Sequence, residues 1–342
     1  MRLALKAPKG SKRRRPTTHL RALVLALLLS SAAAPLAVDA QQSEKLYRIG
    51  MLERTSTAIN AANLDGLRQG LRELGYVEGK NFVIEYRSAD GRDERFPALA
   101  TELVRLKVDL ILTRGTPAIL AAKNATGAIP VIIIGAGDPV AQGIVASLAR
   151  PGANVTGLSP MVTETYAKRV ELLKALVPRA KRIAALLNMG NPAIPPQWKK
   201  VEMAARSLGM QAQLLDVRKA EDLGPAFDAA VRQRVDALVV GLDTVTLANR
   251  RHIVELAAKH RLPAIYATSE FVGGLAAYGV NYPDSYRRAA SFIDKIFRGA
   301  KPAELPMEQP TKFELMMNLK TAKALGLTIP PSLLLQADQV IQ

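Results

Sequence analysis

Arg48-Ile49-Gly50-Met51-Leu52 near the start of the chain and Arg182-Ile183-Ala184-Ala185-Leu186 in its middle are one pattern written twice, 134 positions apart. Their surroundings repeat as well. Leu74-Gly75 returns as Leu208-Gly209, again 134 residues on, and the strand-like Phe82-Val83-Ile84-Glu85-Tyr86-Arg87 that follows has its counterpart in Leu214-Leu215-Asp216-Val217-Arg218. Val108-Asp109-Leu110-Ile111-Leu112 returns as Val235-Asp236-Ala237-Leu238-Val239 after 127, and Ile129-Pro130-Val131-Ile132 as Leu262-Pro263-Ala264-Ile265 after 133. Landmarks in one order at nearly constant spacing describe two similar lobes. Two lobes leave a cleft between them, the usual place for a small-molecule site.

Inside each half, short apolar runs alternate with helix-like stretches, the pattern of a parallel sheet with crossover helices. Strands are expected at Tyr47–Leu52, Phe82–Arg87, Val108–Thr113, Val131–Gly135 and Val155–Leu158 in the first half. Leu64, Leu67, Leu71 and Leu74, then Leu99, Leu103 and Leu106, recur at helical spacing between them. The second half offers strands at Arg182–Leu187, Gln211–Val217, Ala237–Leu242, Ala264–Ala267 and Ala276–Tyr282, with helices near Pro196–Leu208, Leu223–Arg234 and Leu247–His260. A helix over Thr165–Leu176 stops before Pro178. The tail holds a helix over Ser285–Arg298, a strand within Leu305–Asn318 and a short helix over Leu319–Leu325, more than two lobes need. The chain is therefore expected to cross back, with lobes 41–158 plus 283–308 and 159–282 plus 309–342. Linkers are expected near Leu158–Thr163, Tyr282–Asp284 and Leu305–Gln309.

The first 40 residues read as an export leader. Arg2, Lys6, Lys9, Lys12 and Arg13-Arg14-Arg15 form its basic part, Ala22–Leu29 its apolar run, and Val38-Asp39-Ala40 its small-x-Ala end, so cleavage is expected after Ala40. A membrane anchor needs about 20 apolar residues, and Ser30, Ser31 and Pro35 break the run first. The chain has no cysteine, hence no disulfide and no lipid-accepting thiol. A periplasmic location without a stable membrane anchor follows as the expectation. The net charge is +17; the leader supplies eight basic residues and one acid, which leaves about +10 for the 302 residues after it. Those lysines and arginines are scattered, aromatics are few, and no recognition-helix motif interrupts them, so a solvated basic surface is expected and no nucleic-acid partner.

Catalytic chemistry finds little footing. There is no Gly-x-Ser-x-Gly elbow, no cysteine nucleophile, and no acidic or histidine cluster with metal-site spacing. Gly135-Ala136-Gly137-Asp138-Pro139 lacks the third glycine of a dinucleotide loop and follows the fourth strand, whereas that fingerprint opens the first unit. No cofactor is expected. What remains is polar residues at the carboxyl ends of strands, where open α/β sheets hold ligands. The first lobe presents Glu53, Thr55 and Ser56, then Thr113-Arg114-Gly115-Thr116, then Asp138; the second presents Asn188 and Asn191, then Asp243 and Thr244, then Thr268, Ser269 and Glu270, with Tyr278 as a further candidate. Several of these, Thr116, Asp138 and Asp243 among them, serve equally well as helix caps. A zwitterion would suit such a set, with Thr116 and nearby N–H groups on its carboxylate and Asp138 or Asp243 on its ammonium.

Four longer motifs narrow the reading: Gly115-Thr116-Pro117-Ala118, Gly137-Asp138-Pro139-Val140, Arg150-Pro151-Gly152-Ala153-Asn154-Val155-Thr156-Gly157, and Glu308-Gln309-Pro310-Thr311-Lys312-Phe313-Glu314-Leu315 running on through Asn318–Leu327. Together they resemble the ABC-transporter substrate-binding family related to tryptophan and tyrosine transport components. The resemblance implies a type I periplasmic-binding fold, α/β with two doubly wound, Rossmann-like parallel-sheet lobes and three hinge crossings. It also implies a monomeric receptor that hands a small, amino-acid-like solute to an ABC permease in the inner membrane. The chain departs from the pattern after the first strand of the second half, where Asn188-Met189-Gly190-Asn191-Pro192 replaces a plain Asn-Pro. A sensory ligand-binding module would share every one of these features, and an α/β cleft enzyme is the more distant alternative.

Overall fold

The computed structural model describes residues 45–160, 162–310 and 313–342. The expected leader with its cleavage site, Met161 in the half-way connection, and Thr311-Lys312 lie outside the described residues. Two sheets result, as the internal repeat requires.

The first sheet takes β1 (Tyr47–Glu53), β2 (Phe82–Ser88), β3 (Leu110–Thr113), β4 (Val131–Ile134) and β5 (Val155–Leu158), in the order β2-β1-β3-β4-β5 and parallel throughout. Helices α1 (Ala61–Glu73), α2 (Phe96–Arg105) and α3 (Thr116–Ala125) make the crossovers. Side chains alternate along a strand, so Ile49 and Met51 pack under Leu64, Leu67 and Leu71 of α1, while Leu52 packs under Phe96, Leu99 and Leu103 of α2 on the other face. Both faces are covered, which is why the strands read as almost wholly apolar.

The second sheet repeats the scheme and extends it. Its strands are β6 (Arg182–Leu187), β7 (Gln211–Asp216), β8 (Ala237–Val240), β9 (Ala264–Tyr266), β10 (Ala276–Val280), β11 (Phe313–Asn318) and β12 (Gln339–Ile341), ordered β12-β11-β10-β9-β8-β6-β7. The helices are α4 (Thr165–Leu176), α5 (Ile194–Ser207), α6 (Leu223–Arg232), α7 (Thr244–Ala248), α8 (Arg250–Lys259), α9 (Tyr282–Phe297), α10 (Leu319–Leu325) and α11 (Pro331–Leu334). Of these, α9 returns to the first lobe, where Tyr286, Ala289 and Ile293 join the core under β1. It lies so close to α1 that a Cβ on Gly70 would sit 2.2 Å from the Arg287 carbonyl oxygen.

The chain thus passes between the lobes three times: from β5 to α4, from β10 to α9, and from the region after Glu304 to β11. At the third passage Glu308 runs beside β5, its N–H donating to the Gly157 carbonyl and its carbonyl accepting from Ser159 N–H.

Four local readings change. The strand expected over Ala276–Tyr282 ends at Val280, because the Asn281 side chain accepts the Asp284 N–H at 2.8 Å and starts α9 three residues ahead of Ser285. Tyr282 therefore belongs to the first lobe's helix. The helix expected over Leu247–His260 begins at Thr244 and breaks at Asn249, since Asp243 and Thr246 form a reciprocal cap that launches α7 early. Finally, β11 pairs antiparallel with β10, and β12, unmarked in the sequence reading, lies parallel to β11.

Candidate functional site

In both sheets the chain reverses direction on either side of the first strand, β1 against β3 and β6 against β8. Ligands of open α/β sheets bind beyond the carboxyl ends at such switch points. Glu53-Arg54 leaves β1, Arg114-Gly115-Thr116 leaves β3, Asn188 leaves β6 and Asp243 leaves β8. The two lobes turn these edges toward each other.

Charge is buried there on a scale unusual for a protein interior. Arg114 is 1% exposed, and its two terminal nitrogens donate to both carboxylate oxygens of Glu270 in the other lobe, at 3.1 and 3.2 Å. Its guanidinium carbon stands 4.2 Å from the centre of the Tyr282 ring. Asn63 of α1 adds a hydrogen bond to the same Glu270 carboxylate at 3.2 Å. Burial pushes the Glu270 carboxyl up, but the Arg114 charge and these hydrogen bonds outweigh it and hold the group below its ordinary range. This two-pronged pair ties lobe to lobe.

Glu53, at the end of β1, accepts a hydrogen bond from the Tyr286 hydroxyl through one oxygen, and its other oxygen has no partner among the described residues. Burial raises its pKa against the pull of Arg114. Asp243 caps α7 by accepting the Thr246 N–H at 2.9 Å, while its second oxygen is buried without a partner. Burial pushes its pKa up to about 6, and Asp93 of the opposite lobe adds to the rise. Asn188 faces it and accepts Gly190 N–H at 3.0 Å.

A cavity of about 40 Å³ lies between the lobes, lined by Arg54 and Thr116 of the first lobe, by Arg169, Asn191 and Gln197 of the second, and by Tyr282. Thr116 and Asn191 are thus brought together, as the sequence suggested. Thr116 Oγ1 accepts the Gly137 N–H at 3.3 Å and Asn191 Oδ1 accepts the Ala193 N–H at 3.0 Å, so each also shapes its own turn.

The remaining sequence-derived residues stand elsewhere. Thr113 is buried in the sheet and donates to the Leu52 carbonyl at 2.7 Å. Thr55 offers its carbonyl to the Tyr86 hydroxyl at 2.6 Å. Asp138 is exposed, outside the cavity, and its carboxylate takes the N–H groups of Val140 and Ala141, both at 3.0 Å. Ser269 is half-buried beside Glu270 and does not line the cavity. The Tyr278 ring packs toward Phe313 and the core under α4, and its backbone carbonyl, not its hydroxyl, meets Arg169.

Arg114 lies within the strand-end stretch Thr113–Thr116 that the sequence offered, but two other arginines went unselected. Arg54 is 5% exposed, with Nε and Nη1 buried and unpartnered among the described residues. Its guanidinium packs against Gly115, where a Cβ would come within 1.7 Å of Nη2. Arg169, 2% exposed on α4, donates Nε to the Tyr278 carbonyl at 2.8 Å and Nη2 to Thr165 Oγ1 at 2.7 Å, leaving Nη1 unpartnered. A signal existed for it: Arg169 stands on the apolar face that Tyr166, Val170 and Leu173 define. Among the described residues no group of His, Asp and Glu has the arrangement of a metal site, and no helix is long and apolar enough to cross a membrane.

The comparisons with known proteins agree on one family. Residues 51–341 match the model of the ABC transporter substrate binding protein family. A tyrosine-binding protein from Clostridioides difficile is 28% identical over 291 residues, which cover 83% of this chain and 82% of the relative. Among solved structures, an ABC domain in complex with L-Trp from Streptococcus pneumoniae is 28% identical with a TM-score of 0.80, over 87% of this chain and 100% of that one. The ligand-free, open structure of a substrate-binding protein with adhesive properties from Clostridium difficile is 27% identical over the same shares but reaches a TM-score of only 0.62. At matched identity and coverage, the fit is better to the ligand-bound relative than to the open one. The lobes here are in contact, Arg114 of the first holding Glu270 of the second.

Proposed function

The chain belongs to the ABC transporter substrate binding protein family, and from that premise we propose that it is the extracytoplasmic receptor of an ABC importer. In this reading it works in the periplasm after removal of residues 1–40, as a monomer, and delivers its solute to an inner-membrane permease. Its solute is small, polar and carboxylate-bearing, with amino acids and their near relatives as the first class to test. The observation that carries this is the interlobe cavity bordered by buried arginines, Arg54 from one lobe and Arg169 from the other. The relatives' tryptophan and tyrosine point toward amino-acid-like solutes too. No bond chemistry is needed. A solute closes the lobes only through its better binding to the closed form.

Thermal-shift measurements on residues 41–342 against amino acids, small carboxylates, sugars and nucleosides test the reading. Stabilisation by carboxylate-bearing solutes is the expected result, and stabilisation by sugars or nucleosides alone would remove it. Amino-terminal sequencing of the exported protein should begin at Gln41.

Two substitutions probe the walls of the site. Gly115→Ala puts a methyl where the Arg54 guanidinium lies, at a backbone φ of 90° that L-residues avoid. It should cost about 1–3 kcal/mol of folding stability from that φ alone and weaken solute binding at least tenfold, about 1.4 kcal/mol, by turning Arg54 out. Chemical denaturation beside calorimetric titration reads both. Asp138→Asn should change neither by more than about 0.5 kcal/mol, because asparagine caps as well as aspartate and the side chain is exposed.

A further inference from the structure

The three buried arginines of the cleft are not equivalent. Arg114 spends both terminal nitrogens on the Glu270 carboxylate, which matches its charge within the protein and leaves only Nε buried without a partner among the described residues. Arg169 has no carboxylate partner among the described residues: a backbone carbonyl and a threonine hydroxyl take two of its nitrogens, the Tyr166 ring lies 4.3 Å from its guanidinium carbon, and Nη1 has nothing. Arg54 makes no side-chain hydrogen bond among the described residues and has two buried, unpartnered nitrogens, while Asp243, Asp93, Glu53 and Glu270 all lie near enough to feel its charge. Both arginines line the same cavity, from opposite lobes. Buried charges are paired in native proteins because an unpaired one forfeits its hydration. Arg54 and Arg169 share buried N–H donors without partners among the described residues, and around one cavity these call for an acceptor.

We propose that the solute is a compact organic anion whose carboxylate is clamped between Arg54 of the first lobe and Arg169 of the second. This rests on the receptor reading above and narrows it. An arginine fork presents parallel N–H donors matched to a planar carboxylate, and one clamp arm in each lobe makes the anion itself the bridge that favours closure. Gln197 Oε1, buried at the same cavity and unpartnered, accepts a hydrogen bond from a second group of the solute, a hydroxyl or an amine. The cavity is small, about 40 Å³, which favours a compact solute.

Calorimetric titration of residues 41–342 with lactate, malate, succinate, glycine, L-tyrosine, L-tryptophan, ribose, sulfate and inorganic phosphate tests the proposal, repeated on Arg54→Gln, Arg169→Gln and Arg169→Lys. Lactate, malate or succinate should bind tighter than any neutral solute. Each glutamine variant should lose at least a hundredfold in affinity for that anion, and Arg169→Lys, which keeps charge but not the fork, at least tenfold. The melting temperature of unliganded Arg169→Gln should hold or rise, since an unpaired buried cation is gone; a merely structural arginine would lower it and leave solute preference alone. Tight binding of L-tyrosine or L-tryptophan, unchanged in the glutamine variants, overturns the anion clamp while the receptor reading stands. Sulfate or phosphate binding as tightly as the carboxylates overturns the carboxylate assignment. Silence across the whole panel overturns both readings.

Discussion

Glu270→Gln should weaken solute binding by about two to three powers of ten and leave the unfolding of the unliganded protein nearly unchanged. Arg114 is 1% exposed, and among the described residues its only anionic hydrogen-bond partner, Glu270, comes from the opposite lobe. Removing one member of a buried ion pair costs about 3–5 kcal/mol, because the other charge stays behind without compensation. At 1.4 kcal/mol per power of ten, and with the amide oxygen still accepting one hydrogen bond, the loss falls toward the lower end of that range. The penalty belongs to closure rather than to folding. Parting the lobes separates Arg114 from position 270 in any case, so the loss of the pair falls on the joined state and lowers the binding-competent fraction. Small-angle scattering with and without the tightest-binding carboxylate should show a protein that closes less readily, and titration calorimetry the matching affinity loss. Arg114→Gln combined with Glu270→Gln should recover much of it, since pairs in contact do not add. An affinity for Glu270→Gln equal to that of the natural protein would show that the pair does not govern closure.

The features that were legible in the sequence share a property: they are set by periodicity. Arg182–Leu187, Thr165–Leu176 and Leu319–Leu325 come out with the residues expected of them, because apolar runs, helical spacing and a stopping proline act locally. Helix starts were harder. Asn281 and Asp243 each begin a helix three residues before its apolar pattern shows, through a side-chain bond that the spacing of leucines does not record. The direction of β11 and the existence of β12 depend on where the tail lands, a tertiary matter. Of the proposed ligand contacts, Thr116 and Asn191 line the cavity because strand ends place them there. Arg54 and Arg169 did not declare themselves, since a buried arginine and a solvated one are written alike in a chain of high positive charge. Arg54 does stand at a strand end beside the selected Glu53. The burial of both, and the glycine that makes room for Arg54, is a fact of packing.

Asp243 makes the folded protein most stable on the acid side of neutrality, and Asp243→Asn should flatten that dependence. Its carboxyl is pushed up to about 6 by burial, with one oxygen unpartnered and Asp93 of the other lobe adding to the rise. The folded protein therefore takes up a proton between about pH 4 and 6 that the unfolded chain, with an ordinary aspartate near 3.9, does not hold. Stability falls as pH rises wherever the folded state binds more protons. The penalty is absent below about pH 4 and complete above about pH 6.5. Two units at 1.36 kcal/mol each set its size at about 3 kcal/mol, an upper figure because opening of the lobes relieves part of it. Glu53 is shifted the same way by burial and leaves a residual slope. Glu270 is shifted the other way, so its contribution is lost only as pH falls through the acid range and does not enter between pH 5 and 7.5. Urea unfolding at pH 5.0, 6.0 and 7.5 should therefore give a falling stability in the natural protein and a markedly shallower fall in Asp243→Asn. The asparagine keeps the cap on α7 and is expected to be the more stable of the two at pH 7.5. Parallel profiles for the two proteins would mean that Asp243 keeps its proton, or its solvent, on both sides of closure.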